Sequence, residues 1–100
     1  MVQIFYQFKV KKGEGKAFED AWGKMNNIIC QRSVGAHGSV LLCQQDEPET
    51  YVGVTKWADL DSWQKMRQSD IPSLDEAEEM MKHAESMSYR IMVEVLSAEI

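Results

Sequence analysis

The sequence predicts a two-layer α+β domain spanning residues 1–100, in the order strand, helix, strand, strand, helix, strand. Three observations predict it. Apolar residues alternate with a period of two near both ends of the chain and in two adjacent central segments. Between these stretches they recur at helical spacing. Trp57 closes the third strand at Thr55-Lys56-Trp57, a large aromatic where a sheet edge meets a helix, which is a common setting for a small-molecule pocket.

The first strand covers residues 2–10. Val2, Ile4, Tyr6, Phe8 and Val10 share one face, fully apolar or aromatic, and pack on helices; Gln3, Phe5, Gln7 and Lys9 share the other. Lys11-Lys12-Gly13-Glu14-Gly15 ends the strand in a glycine turn. The first helix covers residues 14–31, with Phe18, Ala21, Trp22, Met25, Ile28 and Ile29 as its apolar stripe, where Trp22 and Met25 read as core. Gly35 suits a positive-φ position after it.

Residues 37–44 form the second strand, and Gln45-Asp46-Glu47-Pro48-Glu49 turns into the third, residues 50–57. Tyr51, Gly53, Thr55 and Trp57 share a face there, opposite Val52, Val54 and Lys56. Asp59 caps a second helix whose stripe is Leu60, Trp63 and Met66. Pro72 interrupts it, and Ser73 to Glu76 fits a capping box for a further helical piece over residues 73–85. The last strand covers residues 88–98, apolar on both faces and therefore expected to be covered on both sides.

Helices can cover one side of such a sheet. The other side carries Phe5, Val52 and Val54, too much apolar surface to leave in water. Two copies packing their sheets face to face would bury it. The net charge of −5 argues against nucleic acid or an anionic membrane as partner. The acids cluster at Asp75, Glu76, Glu78 and Glu79, which reads as a solvated helix face. Cys30 and Cys43 form no CxxC pair and read as buried free thiols. The start of the chain lacks the pattern of a signal peptide, and no apolar run approaches a membrane span, so the cytoplasm is the expected compartment.

Phosphate loops, metal-ligand spacings, nucleophile elbows and basic aromatic patches are absent from the sequence. Trp57 is the strongest candidate for a pocket wall against a flat ligand, weighed evenly against a core aromatic that seals the sheet–helix edge. Trp63 faces the same layer from the next helix. Tyr6 brings a hydroxyl that needs a partner if buried. His83, a possible base, lies at the end of the second helical region, where a surface histidine is the plainer reading. Arg90 opens the last strand and reads as the partner of a carboxylate, and His37 as exposed.

Phe8-Lys9-Val10-Lys11-Lys12-Gly13 with Phe18 and Trp22, Gly35, and Tyr51-Val52-Gly53-Val54-Thr55-Lys56-Trp57 followed by Asp59 and Trp63 resemble the antibiotic biosynthesis monooxygenase domain family. The resemblance implies a ferredoxin-like βαββαβ fold, an antiparallel sheet with helices on one face, and sheets that pair into a dimeric α+β barrel. It also implies a pocket between sheet and helices. Some members oxygenate anthrones or hydroquinones with no metal or flavin, and others degrade haem. Trp57 matches the pocket tryptophan of both groups. Tyr6 and Glu76 stand where the haem-degrading group has an Asn and a His, and Gly53 stands where the oxygenases have an Asn.

The reading that follows is a homodimeric, cofactor-independent monooxygenase for a small hydroquinone- or anthrone-like aromatic, without metal. Trp57, Trp63, Phe8 and Gly53 are its candidate substrate contacts; Tyr6 would orient the phenol oxygen and His83 is the candidate base. The alternatives are a non-catalytic module for a small aromatic ligand, a haem-binding or haem-degrading protein, and a structural dimer whose pocket is packed shut by Trp57, Trp63, Tyr6 and Met66.

Overall fold

The computed structural model describes residues 1–98. Its elements are β1 (Val2–Val10), α1 (Gly15–Arg32), β2 (Ala36–Gln44), β3 (Glu47–Trp57), α2 (Leu60–Gln68), a 3-10 turn (Ile71–Ser73), α3 (Asp75–Lys82) and β4 (Ala84–Val93). The strands form an antiparallel sheet in the order β2-β3-β1-β4. This is the ferredoxin-like α+β fold, with the helices on one face.

The period-two pattern sets the register. Tyr6 pairs with Gly53 on β3 and with Tyr89 on β4, and Val2 pairs with Trp57. Residues directly opposite share a face. Tyr6 and Phe8 therefore lie beside Tyr51, Gly53, Thr55 and Trp57 under the helices. Helix α1 lays Phe18, Ala21, Met25 and Ile29 on that floor, all buried at spacings of three and four.

Gly35 turns the chain back after α1 at φ +88°, a region open to glycine. A Cβ there would also run into the Ser62 side chain of α2. The next connection is tied to the same turn: Ala58 N donates to the Gly35 carbonyl at 2.8 Å. The Asp59 carboxylate then caps α2 by accepting from Ser62 N at 2.8 Å.

Five expectations need correction. The turn expected over residues 45–49 takes only 45 and 46, because β3 already begins at Glu47. The Ser73 capping box does not form: the Ser73 hydroxyl donates to the Asp70 carbonyl at 2.8 Å inside the 3-10 turn, and α3 starts from Leu74 without a side-chain cap. Strand β4 starts at Ala84 and ends at Val93, not at residues 88 and 98. It ends there because β1, its ladder partner, begins at Val2; the last bond runs from Glu94 N to Met1 O. Nor is β4 covered on both sides: every residue from Glu85 to Val93 is exposed, since β4 is an edge strand, although Tyr89 still meets the Trp63 ring of α2. Cys30 and Cys43 are exposed, Cys30 on the outer side of α1 and Cys43 on edge strand β2.

Candidate functional site

The core divides into two clusters. Ile4, Met25, Ile29, Trp57, Trp63, Met66 and Ala77 belong to one. Phe8, Phe18, Tyr51 and Ala84 belong to the other, where Phe18 packs between Phe8 and Tyr51 with ring centroids 4.9 and 5.3 Å away. Tyr6 and Met80 touch both clusters. At this seam lies a cavity of about 250 Å³, walled by Tyr6, Phe8, Trp22 and Trp57 and by Met25, Ile29, Met66, Met80, Met81 and Met87. A dry cavity of roughly 150 Å³ holds benzene. The space here is larger than that, and it is not filled by Trp57, Trp63, Tyr6 and Met66.

Few polar groups reach this lining. The Tyr6 hydroxyl accepts from Trp63 Nε1 at 2.9 Å, which leaves its own proton free to donate. Burial raises the Tyr6 pKa above 10.0, against the opposing pull of the Trp63 N–H and Arg67. Tyr6 is therefore a neutral donor near neutral pH. The Trp57 N–H is already bonded to Thr55 Oγ1 at 3.0 Å, so Trp57 presents its ring and no donor.

Arg67 lies 4.8 Å from the Trp63 ring centroid and 5.1 Å from that of Tyr89, and its Nη1 donates to the Tyr89 hydroxyl at 3.1 Å. The ion pairs of the described residues use Lys16, Arg32, Lys65, Lys82 and His83, leaving Arg67 as a cation in the wall without a paired carboxylate. Asn26 is 7% exposed; its Nδ2 donates to the Trp22 carbonyl at 3.0 Å, while its Oδ1 has no partner.

The sequence candidates divide. Tyr6, Phe8 and Trp57 lie in the cavity wall. Trp63 stands behind it and acts through its bond to Tyr6. Gly53 forms the floor beneath Trp22: a Cβ on Gly53 would stand 2.9 Å from Trp22 Nε1. His83 is not part of the wall. Its Nδ1 lies 2.8 Å from Glu14 Oε1 and its Nε2 3.2 Å from Glu79 Oε1, so it joins the start of α1 to the end of α3. The Glu14 contact, aided by Glu79 and opposed by desolvation, raises the His83 pKa above 6.5.

Asn26 and Arg67 were not singled out from the sequence. Asn26 sits one turn after Trp22 on the apolar stripe, and Arg67 one turn after Trp63. A polar residue in phase with an apolar stripe was the available signal. Among the described residues no group of three or more His, Cys, Asp or Glu could hold a metal ion, and no helix is long and apolar enough to cross a membrane.

Among solved structures, the chain is similar to SnoaB, a cofactor-independent oxygenase from Streptomyces nogalater, with a TM-score of 0.83 at 20% identity over 96% of this chain and 94% of that one. It is also similar to a candidate antibiotic biosynthesis monooxygenase from Caulobacter crescentus, with a TM-score of 0.82 at 14% identity over 95% and 90% of the two chains. A protein from Shewanella oneidensis gives 0.75 at 20% identity over 91% and 87%. Identities this low speak for the fold alone. No curated protein sequence matches the chain significantly. The family model for antibiotic biosynthesis monooxygenases matches residues 1–88. With that match covering most of the sequence, the chain belongs to the antibiotic biosynthesis monooxygenase family.

Proposed function

We propose that this protein is a cofactor-independent monooxygenase that oxidises a small, flat hydroquinone- or anthrone-like aromatic in the cavity between α1, α3 and the sheet. The observation that carries the reading is the cavity itself: apolar walls of aromatic and Met side chains, with a neutral Tyr6 donor and the Arg67 cation at its edge. Flat aromatic substrates bind by contact with such walls. A hydroxyl donor and a guanidinium stabilise a phenolate or enolate in a poorly hydrated site.

The chemistry needs little else from the protein. Loss of a proton makes the substrate electron-rich; its carbanionic carbon transfers electrons to dioxygen and forms a carbon–oxygen bond. The resulting peroxide loses water, leaving a carbonyl. One oxygen atom enters the product and the other leaves as water, and the substrate supplies both electron pairs. Among the described residues the wall contains no carboxylate or imidazole, so Arg67 and Tyr6 lower the substrate's own pKa and water takes the proton.

The lack of a side-chain base favours a second reading, aromatic binding without turnover. Oxygen uptake separates the two. Trp57→Phe keeps a ring in the wall but loses shape and the bond to Thr55. It should weaken quinol binding, read by quenching of tryptophan fluorescence, and depress oxygen uptake by about tenfold or more. Unchanged uptake would contradict a substrate role for Trp57.

The same reading includes a homodimer through the open sheet face. Phe5, Val40, Leu42 and Met92 are 37%, 45%, 52% and 49% exposed there. Apolar area of this kind is ordinarily covered by a partner, and a second copy offers the same face. Light scattering at micromolar concentration should give the mass of two chains.

A further inference from the structure

We propose that Met80, Met81 and Met87 form a deformable side of the cavity, so that one site accepts flat aromatics of two and of three fused rings. This rests on the reading of the cavity as an aromatic-binding site. It goes further by naming the size range of the ligand and the residues that set it.

Methionine is concentrated at the cavity. The chain has seven methionines. Five of them, Met25, Met66, Met80, Met81 and Met87, line the cavity, and they come from α1, α2, α3 and β4. An unbranched thioether side chain has three rotatable bonds and a polarisable sulfur. It refits around ligands of different outline and makes favourable contacts with aromatic rings. A β-branched side chain of similar volume has far fewer ways to move.

The lining residues differ in how firmly they are held. On the sheet each aromatic has a fixed partner: Trp57 Nε1 donates to Thr55 Oγ1 at 3.0 Å, the Tyr6 hydroxyl accepts from Trp63, and the Phe8 ring packs 4.9 Å from Phe18. Met25 and Met66 are 5% and 8% exposed and packed into the core. Met80 and Met81 are only half-buried, and Met87 is 42% exposed. Helix α3, which carries Met80 and Met81, has eight residues, follows Pro72 and starts from Leu74 without a side-chain cap. So short a helix is marginal alone and holds its place by packing. The movable methionines are thus grouped on α3 and β4, and the fixed aromatics on β1 and β3.

Size decides what that division does. A single benzene ring occupies a dry cavity of roughly 150 Å³. On that scale the volume of about 250 Å³ admits two fused rings. A third ring needs wall atoms to move, and a rigid wall would reject it by overpacking. The half-buried methionines are the wall atoms that can move without opening the core.

The experiment compares hydroxynaphthalene with hydroxyanthracene, the same hydroxyl on two and on three fused rings, each titrated into the full chain under argon by calorimetry. The unmodified protein should bind both, with affinities within about tenfold of each other. The double variant Met80→Ile with Met81→Ile keeps side-chain volume but stiffens it by β-branching. It should weaken hydroxyanthracene by about tenfold or more and leave hydroxynaphthalene within about twofold of the parent. Rejection of hydroxyanthracene by the unmodified protein overturns the proposal, and so does a variant that treats the two probes alike. A second measurement needs no variant. With isotopically labelled methionine methyl groups, magnetic relaxation should show more motion at Met80, Met81 and Met87 than at Met25 and Met66 in the free protein, and a loss of that motion with hydroxyanthracene bound. Equal order at all five methyl groups would overturn the proposal. Failure of both probes to bind the unmodified protein would refute the cavity reading itself, a different outcome from binding of hydroxynaphthalene alone.

Discussion

The indole N–H of Trp63 donates to the hydroxyl oxygen of Tyr6 at 2.9 Å across 57 positions of sequence. It joins α2 to the central strand β1 and fixes the Tyr6 hydroxyl at the cavity wall. Trp63 is 1% exposed, so its N–H has no water to turn to.

Tyr6→Phe should therefore cost about 1–3 kcal/mol, the usual penalty for leaving a buried donor unsatisfied. Chemical denaturation should show a lower midpoint with an unchanged slope. The same variant should weaken quinol binding, because the cavity loses its neutral donor. A midpoint equal to the parent's would mean that the bond carries no stability.

His83 predicts a pH dependence of stability and none of chemistry. Contact with Glu14, then Glu79, raises its folded pKa above the unfolded value of 6.5. The protonated form is thus favoured by folding. This stabilisation is fully present below about pH 6.5 and is lost as pH rises through the folded pKa. Relative to the parent, His83→Gln should be least stable near pH 5.5 and should converge with it at alkaline pH. Oxygen uptake by the folded variant should stay within about twofold of the parent, since His83 lies outside the wall. A collapse of uptake with an intact fold would restore His83 as the base.

Gly53→Ala tests the fit of α1 on the sheet. The added methyl would stand 2.9 Å from Trp22 Nε1 and 3.5 Å from a Phe8 ring carbon. Trp22 must shift, and overpacking of this kind costs about 1–3 kcal/mol. Thermal unfolding should register the loss, and the displaced indole should reduce aromatic binding. A variant as stable as the parent would show that Trp22 moves freely.

Leu42→Lys tests the paired sheets. Leu42 is 52% exposed on the outer face, so a lysine there is tolerated by a single chain. Placed between two sheets, it would bury a charge. Light scattering should report one chain for the variant and two for the parent; two chains for both would exclude this face as the contact.

The fold was largely legible because its pattern is local. The alternation of Val2, Ile4, Tyr6, Phe8 and Val10 fixed the face of β1, and the stripe from Phe18 to Ile29 bounded α1 to within one residue. The end of β4 was not legible, because it depends on where β1 begins, a fact of pairing and not of residues 94–98 themselves. Ser73 fitted a capping box, but its hydroxyl is spent on Asp70. The aromatic wall was half legible: Tyr6, Phe8 and Trp57 follow from strand parity. Asn26 and Arg67 did not, since a polar residue on a helical stripe reads as an interruption until the cavity beside it is seen.

Oxygen uptake by chelator-treated protein supplied with anthrone and isotopically labelled dioxygen separates turnover from binding alone. A cofactor-independent monooxygenase should give protein-dependent uptake above the autoxidation rate, one labelled oxygen atom in the product carbonyl, and loss of uptake in Trp57→Phe. Saturable anthrone binding with uptake no faster than the protein-free control would contradict it and leave a binding module.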